Sequence, residues 1–320
     1  MLTLSADDLR RVLDRRSLVE AVGAMFRGGC EAPVRHHHTV AVPGGSDATL
    51  LLMPAWLPGR FVGTKIANVF PDNGRRGLPA VQSLYLLFSG ETGELLATMD
   101  GAELTTRRTV AASSLAARYL ARADASRLLI VGTGQVAAQI AASHAAVLPI
   151  RDVAVWGRDA DKAAALASRI ATDGFAAKPV ADLPAAVAEA DIVSCATISR
   201  EPIVRGAWLR PGTHLDLIGG YRPDMREADD EAVRRASVFI DTEGALHEAG
   251  DIVAPLRSGI IAESDILADL AGLASGRHPG RRSPDEITLF KSTGAAAEDL
   301  AAAILAYERA TGVTSPPAGA

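Results

Sequence analysis

Residues 128–137 read Leu-Leu-Ile-Val-Gly-Thr-Gly-Gln-Val-Ala, an apolar strand that runs directly into a G-x-G-x-x-A turn and an alanine-rich helix. The first glycine of such a turn permits the tight bend, and the second lets a pyrophosphate approach the backbone. The small third residue lets the helix pack closely on the strand. The segment therefore predicts a dinucleotide-binding turn. The residues expected to contact the cofactor there are Gly132, Thr133, Gly134, Gln135 and Val136.

Strand and helix patterns alternate from this turn onward, which is typical of an α/β fold with a doubly wound parallel sheet. Helices are expected at Ala160–Thr172 and Leu183–Ala190, among others. The candidate strands are Leu128–Val131, Asp152–Trp156, Ile192–Ala196, His214–Ile218 and Val238–Asp241.

The segment before the turn is too long for a tail and has a different pattern. Residues 1 to about 30 look helical, with Ser5 and Ser17 as N-caps of two short helices. Short alternating apolar runs follow and predict an antiparallel α+β region. Its candidate strands are Val34–Val42, Thr49–Met53, Phe61–Phe70, Val81–Phe88 and Leu95–Met99.

An alanine-rich helix that ends near Tyr307 is expected to pack back on this first region. The predicted architecture is therefore a Rossmann domain at 121–294 inserted into a discontinuous α+β domain at 1–120 and 295–320. The α+β domain would bind substrate. The tail after Thr314 is rich in Pro, Gly and Ala and is expected to be frayed.

Composition excludes several classes of function. The chain of 320 residues has a net charge of -5 with scattered basic residues, so no nucleic-acid partner is expected. Cys30 and Cys195 lack metal-like spacing and fit a reducing cytoplasm. We expect no membrane association, because no apolar stretch reaches spanning length and the N-terminus lacks the apolar core of a signal peptide.

The residue after the second Rossmann strand distinguishes the two nicotinamide cofactors. An acid there binds the ribose hydroxyl of NAD, whereas an Arg accommodates the 2′-phosphate of NADP. Here Trp156 is followed by Gly157, Arg158 and Asp159. Arg158 therefore favours NADPH over NADH, and the alternative is a solvated loop cation. Under either interpretation Asp159 is expected to cap the next helix.

Arg108 is a candidate carboxylate ligand. A helix is expected to begin at Thr105 or Thr106 and to end near Leu120, with Arg108 on its apolar face in the first turn. A guanidinium in that position needs an anion, which the helix N-terminus also favours. A substrate carboxylate held bidentately meets both demands, and the alternative is an internal salt bridge. Arg107 lies about 100° around the helix and is expected to be solvated.

Lys65 and Arg35 are further candidates. Lys65 shares a strand face with apolar residues, so it either snorkels to an edge or serves a ligand. Only His36 and His38 of the run His36–His38 share a face, so the three histidines do not converge on an ion and no metal is expected. Arg35 lies on the opposite face and is a possible second carboxylate ligand.

Several segments together resemble the ornithine cyclodeaminase/mu-crystallin family over nearly the whole chain. The resemblance implies a homodimer and carboxylate binding by Arg35, Lys65 and Arg108, with Thr109 beside them. It also places Thr197 and Lys291 at the cofactor, although Lys291 would otherwise read as a surface lysine. The segments that carry the resemblance are residues 65–71, 92–94, 107–112, 131–134, 290–294 and 298–300.

One position separates the branches of this family. Cyclodeaminases and the related alanine dehydrogenases carry an Asp directly after a Gly-Gly or Gly-Ala pair, where this chain has Tyr221. A phenol with a reference pKa of about 10 does not replace that carboxylate as a base. Ala80 also stands where cyclodeaminases have a Thr. The ketimine-reductase branch, and within it the bacterial Δ1-pyrroline-2-carboxylate reductases, is more similar at residues 222–227, 35–38, 77–79 and 85–87.

The resemblance implies an NAD(P)H-dependent imine oxidoreductase with Lys65 and Arg108 as its catalytic residues. Its substrate would be a cyclic imino acid, Δ1-pyrroline-2-carboxylate or the six-membered Δ1-piperideine-2-carboxylate, and its product L-proline or L-pipecolate. Two alternatives remain. One is an ornithine cyclodeaminase that forms L-proline and ammonia with bound NAD. The other is a non-catalytic protein of mu-crystallin type that binds NADPH and a small ligand.

Overall fold

The computed structural model describes residues 1–313, so the frayed tail expected after Thr314 lies outside the described residues. The chain divides into two compact units. Unit 1 is Met1–Arg108 together with the chain from Ala295 on, and unit 2 is Thr109–Gly294. The division falls inside helix α3, which spans Gly101–Leu120.

Unit 1 contains one six-stranded sheet in the order β1-β6-β5-β4-β3-β2. The central pairs are antiparallel, and β1 pairs in parallel with β6. The strands are β1 (Leu2–Leu4), β2 (His36–Val40), β3 (Ala48–Leu57), β4 (Phe61–Val69), β5 (Val81–Ser89) and β6 (Leu95–Asp100). The helices are α1 (Ala6–Val12), α2 (Arg15–Gly28), the first part of α3, and α11 (Ala296–Thr311).

The core of unit 1 lies on one face of this sheet. Helix α11 packs on β3, β4 and β5 and on helix α2. Because side chains alternate along a strand, every second residue of β4 points toward α11. Ser5 caps α1 in a capping box with Asp8, as expected. Ser17 does not cap α2, because Asp14 takes that place and accepts a bond from the Ser17 N–H.

Unit 2 is a parallel sheet of eight strands in the order β13-β12-β14-β11-β10-β7-β8-β9. The strands are β7 (Arg127–Val131), β8 (Asp152–Trp156), β9 (Ala176–Pro179), β10 (Ile192–Cys195), β11 (His214–Leu217), β12 (Ser237–Ile240), β13 (Ile266–Asp269) and β14 (Thr288–Lys291). Its helices are the rest of α3, α4 (Ala137–Ala145), α5 (Ala160–Thr172), α6 (Leu183–Glu189), α7 (Asp230–Arg235), α8 (Ala245–Glu248), α9 (Gly250–Ser258) and α10 (Leu270–Ala274).

The strand order reverses between β7 and β10. From β7 the chain moves outward to β8 and β9, then crosses to β10 on the other side of β7. Such a reversal opens a crevice at the carboxyl ends of the two strands, where open α/β sheets bind ligands. The predicted α/β fold with a Rossmann sheet is confirmed.

The strands that the sequence analysis missed are β1, β9, β13 and β14. Strand β9 reads Ala-Ala-Lys-Pro at the sheet edge and has little strand propensity of its own. Strand β14 has four fully buried residues and no alternation to reveal it. Among residues 1–313, no helix is long and apolar enough to cross a membrane.

Candidate active site

A buried cluster of charged side chains lies in the interior of unit 1. Lys65 and Arg108 are 3% and 4% exposed, and Glu298 and Asp299 in the first turn of α11 are fully buried. The Lys65 Nζ donates to Asp299 Oδ2 at 2.7 Å. The Arg108 Nε donates to Asp299 Oδ1 at 2.8 Å, and its Nη1 donates to Glu298 Oε2 at 2.7 Å. Lys65 thus does not snorkel to an edge but points into the cluster.

The surroundings of Arg108 differ from the prediction. Helix α3 begins at Gly101, and the Asp100 carboxylate accepts the N–H of Glu103 at 2.7 Å. Neither Thr105 nor Thr106 caps the helix, so Arg108 lies in its interior, away from the free N–H groups of the first turn. Its partners are internal carboxylates, which was the alternative interpretation.

The expectation that Arg107 is solvated is wrong. Arg107 is 7% exposed, and its Nε donates to Glu103 Oε1 at 2.7 Å. Its Nη1 donates to the carbonyl oxygen of Leu13, also at 2.7 Å. Because α3 begins a turn earlier than predicted, Glu103 lies one helical turn before Arg107 and pairs with it. The two adjacent arginines therefore serve different partners inside unit 1.

Burial and the charged neighbours in the cluster change the pKa of Lys65. Burial lowers the pKa of Lys65 to about 8, and the positive charges of Arg108 and Arg35 lower it further against the opposing effect of Asp299. Burial alone would raise the pKa of Asp299, but Arg108 and Lys65 hold it below its ordinary value. The structure thus brings Lys65 and Arg108 together, and the charge of Arg35 lies near enough to lower the pKa of Lys65.

Tyr85 is a member of this neighbourhood that sequence reasoning missed. It lies directly across from Lys65 in the register of β4 and β5, so both side chains share the inner face of the sheet. The ring is fully buried, and its hydroxyl has no hydrogen-bond partner among residues 1–313. A Cβ on Gly63 would lie 2.0 Å from that hydroxyl oxygen. The alternation of β5 was the signal that could have identified it.

The histidine run and Thr109 lie outside the buried charged cluster described above. His36, His37 and His38 lie in the exposed edge strand β2. Among residues 1–313, no group of three or more His, Cys, Asp or Glu side chains is placed to hold a metal ion. Thr109 is the first residue of unit 2 and is 8% exposed within α3.

The glycine-rich turn of unit 2 follows β7 at the topological switch point. Gly132 has a φ of 126°, and a Cβ there would lie 2.5 Å from the carbonyl oxygen of Ala196. By contrast, a Cβ on Gly134 would meet nothing within 4 Å. The turn is therefore closely packed at its first glycine and open at its second, as a pyrophosphate at the start of α4 requires. Thr133 is half-buried and Gln135 is exposed beside this opening.

The second Rossmann strand ends as the sequence analysis expected. Arg158 is exposed in the loop after β8. Asp159 caps α5, because its Oδ1 accepts the N–H groups of Asp161 and Lys162 at 3.1 Å each. The predicted N-cap is confirmed, and the exposed guanidinium of Arg158 is available to an anion.

Lys291 and Thr197 belong to a second buried charged cluster, in unit 2. Lys291 is fully buried at the end of β14, with its Nζ 3.2 Å from Asp251 Oδ2 and 3.8 Å from Glu227 Oε2. The surface-lysine alternative is therefore wrong, and the buried side chain presents no surface to a cofactor. Thr197 donates its N–H and its hydroxyl to Glu227 Oε1 at 2.7 and 2.9 Å. Glu227 and Asp251 had not been singled out as site residues.

A cavity of about 660 Å³ also lies in unit 2. Its lining comes from β7, β8, β9 and α6 and includes Arg127, Asp152 and Lys178. Arg127 and Asp152 are the first residues of their strands, whereas the glycine-rich turn follows the carboxyl end of β7. The cavity is therefore distinct from the candidate cofactor site.

Fold and site together define a class of protein with two units. One unit is a parallel α/β sheet with a dinucleotide turn at its switch point, and the other is an α+β unit with a buried cluster of Lys, Arg and carboxylates. The chain belongs to the ornithine cyclodeaminase/mu-crystallin family, whose model matches residues 5–314. The predicted family membership is confirmed.

Named relatives cover almost the whole chain. The Δ1-pyrroline-2-carboxylate reductase of Paracoccus denitrificans is 43% identical over 93% of this chain and 93% of the relative. The structure of Thermococcus litoralis Δ1-pyrroline-2-carboxylate reductase in complex with NADH and L-proline has a TM-score of 0.91 at 35% identity, covering 99% of this chain and 100% of that chain. An archaeal alanine dehydrogenase dimer with bound NAD has a TM-score of 0.89 at 31% identity, and the match covers 98% of each chain.

Proposed function

We propose that this protein is an NAD(P)H-dependent imine oxidoreductase that reduces a cyclic imino acid to the corresponding cyclic amino acid. The preferred substrate is Δ1-pyrroline-2-carboxylate and the product is L-proline. The observation that carries the proposal is the buried cluster of Lys65 and Arg108, which suits a carboxylate, in a chain that also has an open dinucleotide turn. The names of the relatives from Paracoccus denitrificans and Thermococcus litoralis support the same reaction.

Lys65 and Arg108 have donors to spare for the substrate carboxylate. An ammonium group has three N–H donors and a guanidinium has five. Among residues 1–313, Lys65 Nζ donates to Asp299, and Arg108 donates one bond to Asp299 and one to Glu298. Charge-assisted bonds of this kind are the strong ones, and a planar carboxylate fits an arginine fork. Arg35 would add a third cation.

These residues contribute mainly by orienting the substrate. The bound nicotinamide would supply a hydride to the imine carbon. Arg108 and Lys65 would fix the carboxylate and hence the position of that carbon. With a pKa of about 8, Lys65 keeps its proton and its charge near neutral pH. An imine that is already protonated needs no carboxylate base, which agrees with Tyr221 at the position where cyclodeaminases have an Asp.

The residues of unit 2 fit a nicotinamide dinucleotide. The opening at Gly134 leaves room for a pyrophosphate that a side chain would fill. Arg158 lies after β8, where the adenine ribose is held in Rossmann folds. We infer a preference for NADPH, although the Thermococcus litoralis neighbour is described in complex with NADH.

The outer face of the unit 1 sheet favours a homodimer. Val62 and Leu84 are 39% and 44% exposed, and Ile66, Leu86 and Phe88 lie half-buried on the same face. Contiguous apolar surface of this kind usually marks an interface, and the archaeal alanine dehydrogenase neighbour is described as a dimer. We expect L84R to yield a monomer by light scattering, whereas I260R in unit 2, where the side chain is 36% exposed, should leave the mass unchanged.

The reaction is tested by following NADPH absorbance with Δ1-pyrroline-2-carboxylate, with NADH in parallel. Oxidation of NADPH with formation of L-proline is the expected result. An assay for ammonia from L-ornithine and NAD, without added reductant, runs beside it. Release of ammonia without imine reduction would replace the proposal by the cyclodeaminase reaction. No activity in either assay, with NADPH binding retained, would favour a non-catalytic binding protein.

A further inference from the structure

The cluster at Glu227 joins two loops of unit 2. Glu227 Oε1 accepts two bonds from Thr197, and its Oε2 accepts the N–H groups of Gly219 and Gly220 at 2.7 and 3.3 Å. Thr197 follows β10 and Gly219 follows β11, and these strands are neighbours in the sheet. One carboxylate therefore takes four hydrogen bonds from two adjacent loops at the carboxyl ends of the strands.

The two loops are in close contact, and the Glu227 carboxylate that bonds to both holds them together. We call this carboxylate with its four hydrogen bonds the clamp. A Cβ on Gly219 would lie 1.9 Å from the Thr197 carbonyl oxygen and 2.6 Å from Glu227 Oε1. On its other side the same loop meets the dinucleotide turn, since a Cβ on Gly132 would lie 2.5 Å from the carbonyl oxygen of Ala196. The turn after β7 and the loops after β10 and β11 thus form one continuous row.

Lys291 and Asp251 lie against the Glu227 clamp and stabilise it. Asp251 Oδ1 accepts the N–H of Glu227 at 2.8 Å, and its Oδ2 lies 3.2 Å from Lys291 Nζ. All three charged side chains are fully buried. A buried carboxylate needs such compensation, because its desolvation is costly. Lys291, expected to contact the cofactor, would therefore act on it through Glu227.

We propose that Glu227 is a positioning residue for the nicotinamide half of the dinucleotide. It fixes the backbone at Thr197 and Gly219–Gly220, next to the turn that takes the pyrophosphate, and so sets the loop from which Tyr221 projects. This rests on the proposed function, because it requires that unit 2 bind a nicotinamide dinucleotide. The clamp requires an ionised Glu227, since a protonated carboxyl offers fewer acceptors to its four donors.

The clamp makes cofactor binding sensitive to pH. Burial, and then the negative charge of Asp251, raise the pKa of Glu227 to about 7, although Lys291 and the bonds from Thr197 oppose the shift. Lys291 on β14, Asp251 on α9 and the buried thiol of Cys195 on β10 are the titratable groups that face it. Glu227 is ionised above this pKa and protonated below it, so the clamp should loosen as the pH falls through about 7.

The test is the affinity for NADH, measured by nicotinamide fluorescence from about pH 6 to about pH 8. NADH is the probe because it lacks the 2′-phosphate, whose second pKa of about 6 would interfere. The wild type should bind more weakly as the pH falls, by up to about tenfold per pH unit. E227Q should bind NADH about tenfold more weakly at pH 8, because the Gln amide nitrogen cannot accept bonds from the N–H donors that it would face. The amide does not titrate, so the pH dependence should be lost.

Two further variants control for folding. Asp191, at the amino end of β10, is a buried carboxylate that accepts the N–H groups of Ser126 and Arg127 at 3.0 and 2.9 Å. D191N should lower the melting temperature without changing the pH dependence of NADH binding. If E227Q does not fold, T197V removes one hydroxyl bond and should weaken binding about threefold.

The outcomes separate the clamp from the proposed function. E227Q, or T197V in its place, with wild-type affinity and wild-type pH dependence would overturn the clamp and leave the reductase standing. A wild type that binds neither NADH nor NADPH would overturn both. Loss of the pH dependence in D191N as well as in E227Q would reduce Glu227 to a general structural role.

Discussion

Each unit of this protein buries a lysine in a cluster that contains two carboxylates, yet the two clusters are built differently. In unit 1, Lys65 and Arg108 bond to side-chain oxygens of Glu298 and Asp299. In unit 2, the carboxylate of Glu227 bonds mainly to backbone N–H groups. Bonds between side chains can be exchanged for a ligand carboxylate without moving the chain, whereas bonds to backbone fix the course of loops.

The surroundings of the two lysines sharpen this contrast. Lys65 is 3% exposed and has Arg108 and Arg35 near it, whereas Lys291 is fully buried and faces two acids. An excess of cations suits an anionic ligand, and an excess of acids around one lysine suits a structural clamp. This difference supports the proposals that the first cluster binds substrate and that the second positions loops.

The largest expected effect comes from removing Arg108. R108A should lower kcat/KM for the imino acid by roughly 30- to 5,000-fold. The reason is that it removes the proposed partner of the substrate carboxylate, and truncating one partner of a buried charge pair costs roughly 2–5 kcal/mol. R107A is the matched control, since Arg107 is also buried but bonds to Glu103 and Leu13. Both variants should lose stability, and only R108A should lose kcat/KM beyond it. Equal losses in the two would remove the assignment of Arg108 to the substrate.

The pH dependence of Lys65 is the next largest effect. Lys65 carries its charge below its pKa of about 8 and loses it above. Since kcat/KM reports the free enzyme, it should fall by up to about tenfold per pH unit on the alkaline side. In K65R the guanidinium stays charged, so this limb should disappear even though the absolute rate is lower. A limb at the same pH in K65R would assign the titration to the substrate imine.

The face occupied by Lys65 and the position of the glycine-rich turn were foreseeable, because both rest on local patterns. The period of two in β4 places Lys65 on the inner face, and the glycine spacing identifies the turn after β7. The start of α3 was not foreseeable from Thr105 and Thr106, because the effective cap is Asp100 at the end of a strand. Capping residues compete, and the tertiary position of β6 decides among them.

Partners distant in sequence could not be predicted at all. Arg108 and Glu298 are 190 residues apart, and no periodicity relates them. The same holds for Lys291, whose burial follows from the position of β14 in the middle of the sheet rather than from its neighbours in the chain. The sequence thus indicates which face a charged residue occupies, but the fold determines whether a protein group or a ligand neutralises it.

The preference between cofactors is expected to depend on a single exposed contact. R158A should raise KM for NADPH about tenfold, since one charged hydrogen bond to a phosphate is lost, and should leave KM for NADH unchanged. K162A, an exposed cation on the next helix turn, is the control and should affect neither nucleotide. Equal losses with NADPH and NADH in R158A would contradict a role at the 2′-phosphate.

The smallest effect concerns the packing beside the substrate cluster. The buried hydroxyl of Tyr85 has no partner among the described residues, and a buried donor left unpaired costs roughly 1–3 kcal/mol. Y85F should therefore raise the free energy of unfolding by about 1 kcal/mol in chemical denaturation, whereas Y307F, in a half-buried ring that packs edge-to-face with Phe61, should change it little. If Y85F instead lowers stability or raises KM, the hydroxyl has a partner in solution. The cluster of unit 1 would then include the Tyr85 hydroxyl as a further side-chain group. Its difference from the Glu227 clamp of unit 2, which bonds mainly to backbone N–H groups, would be larger.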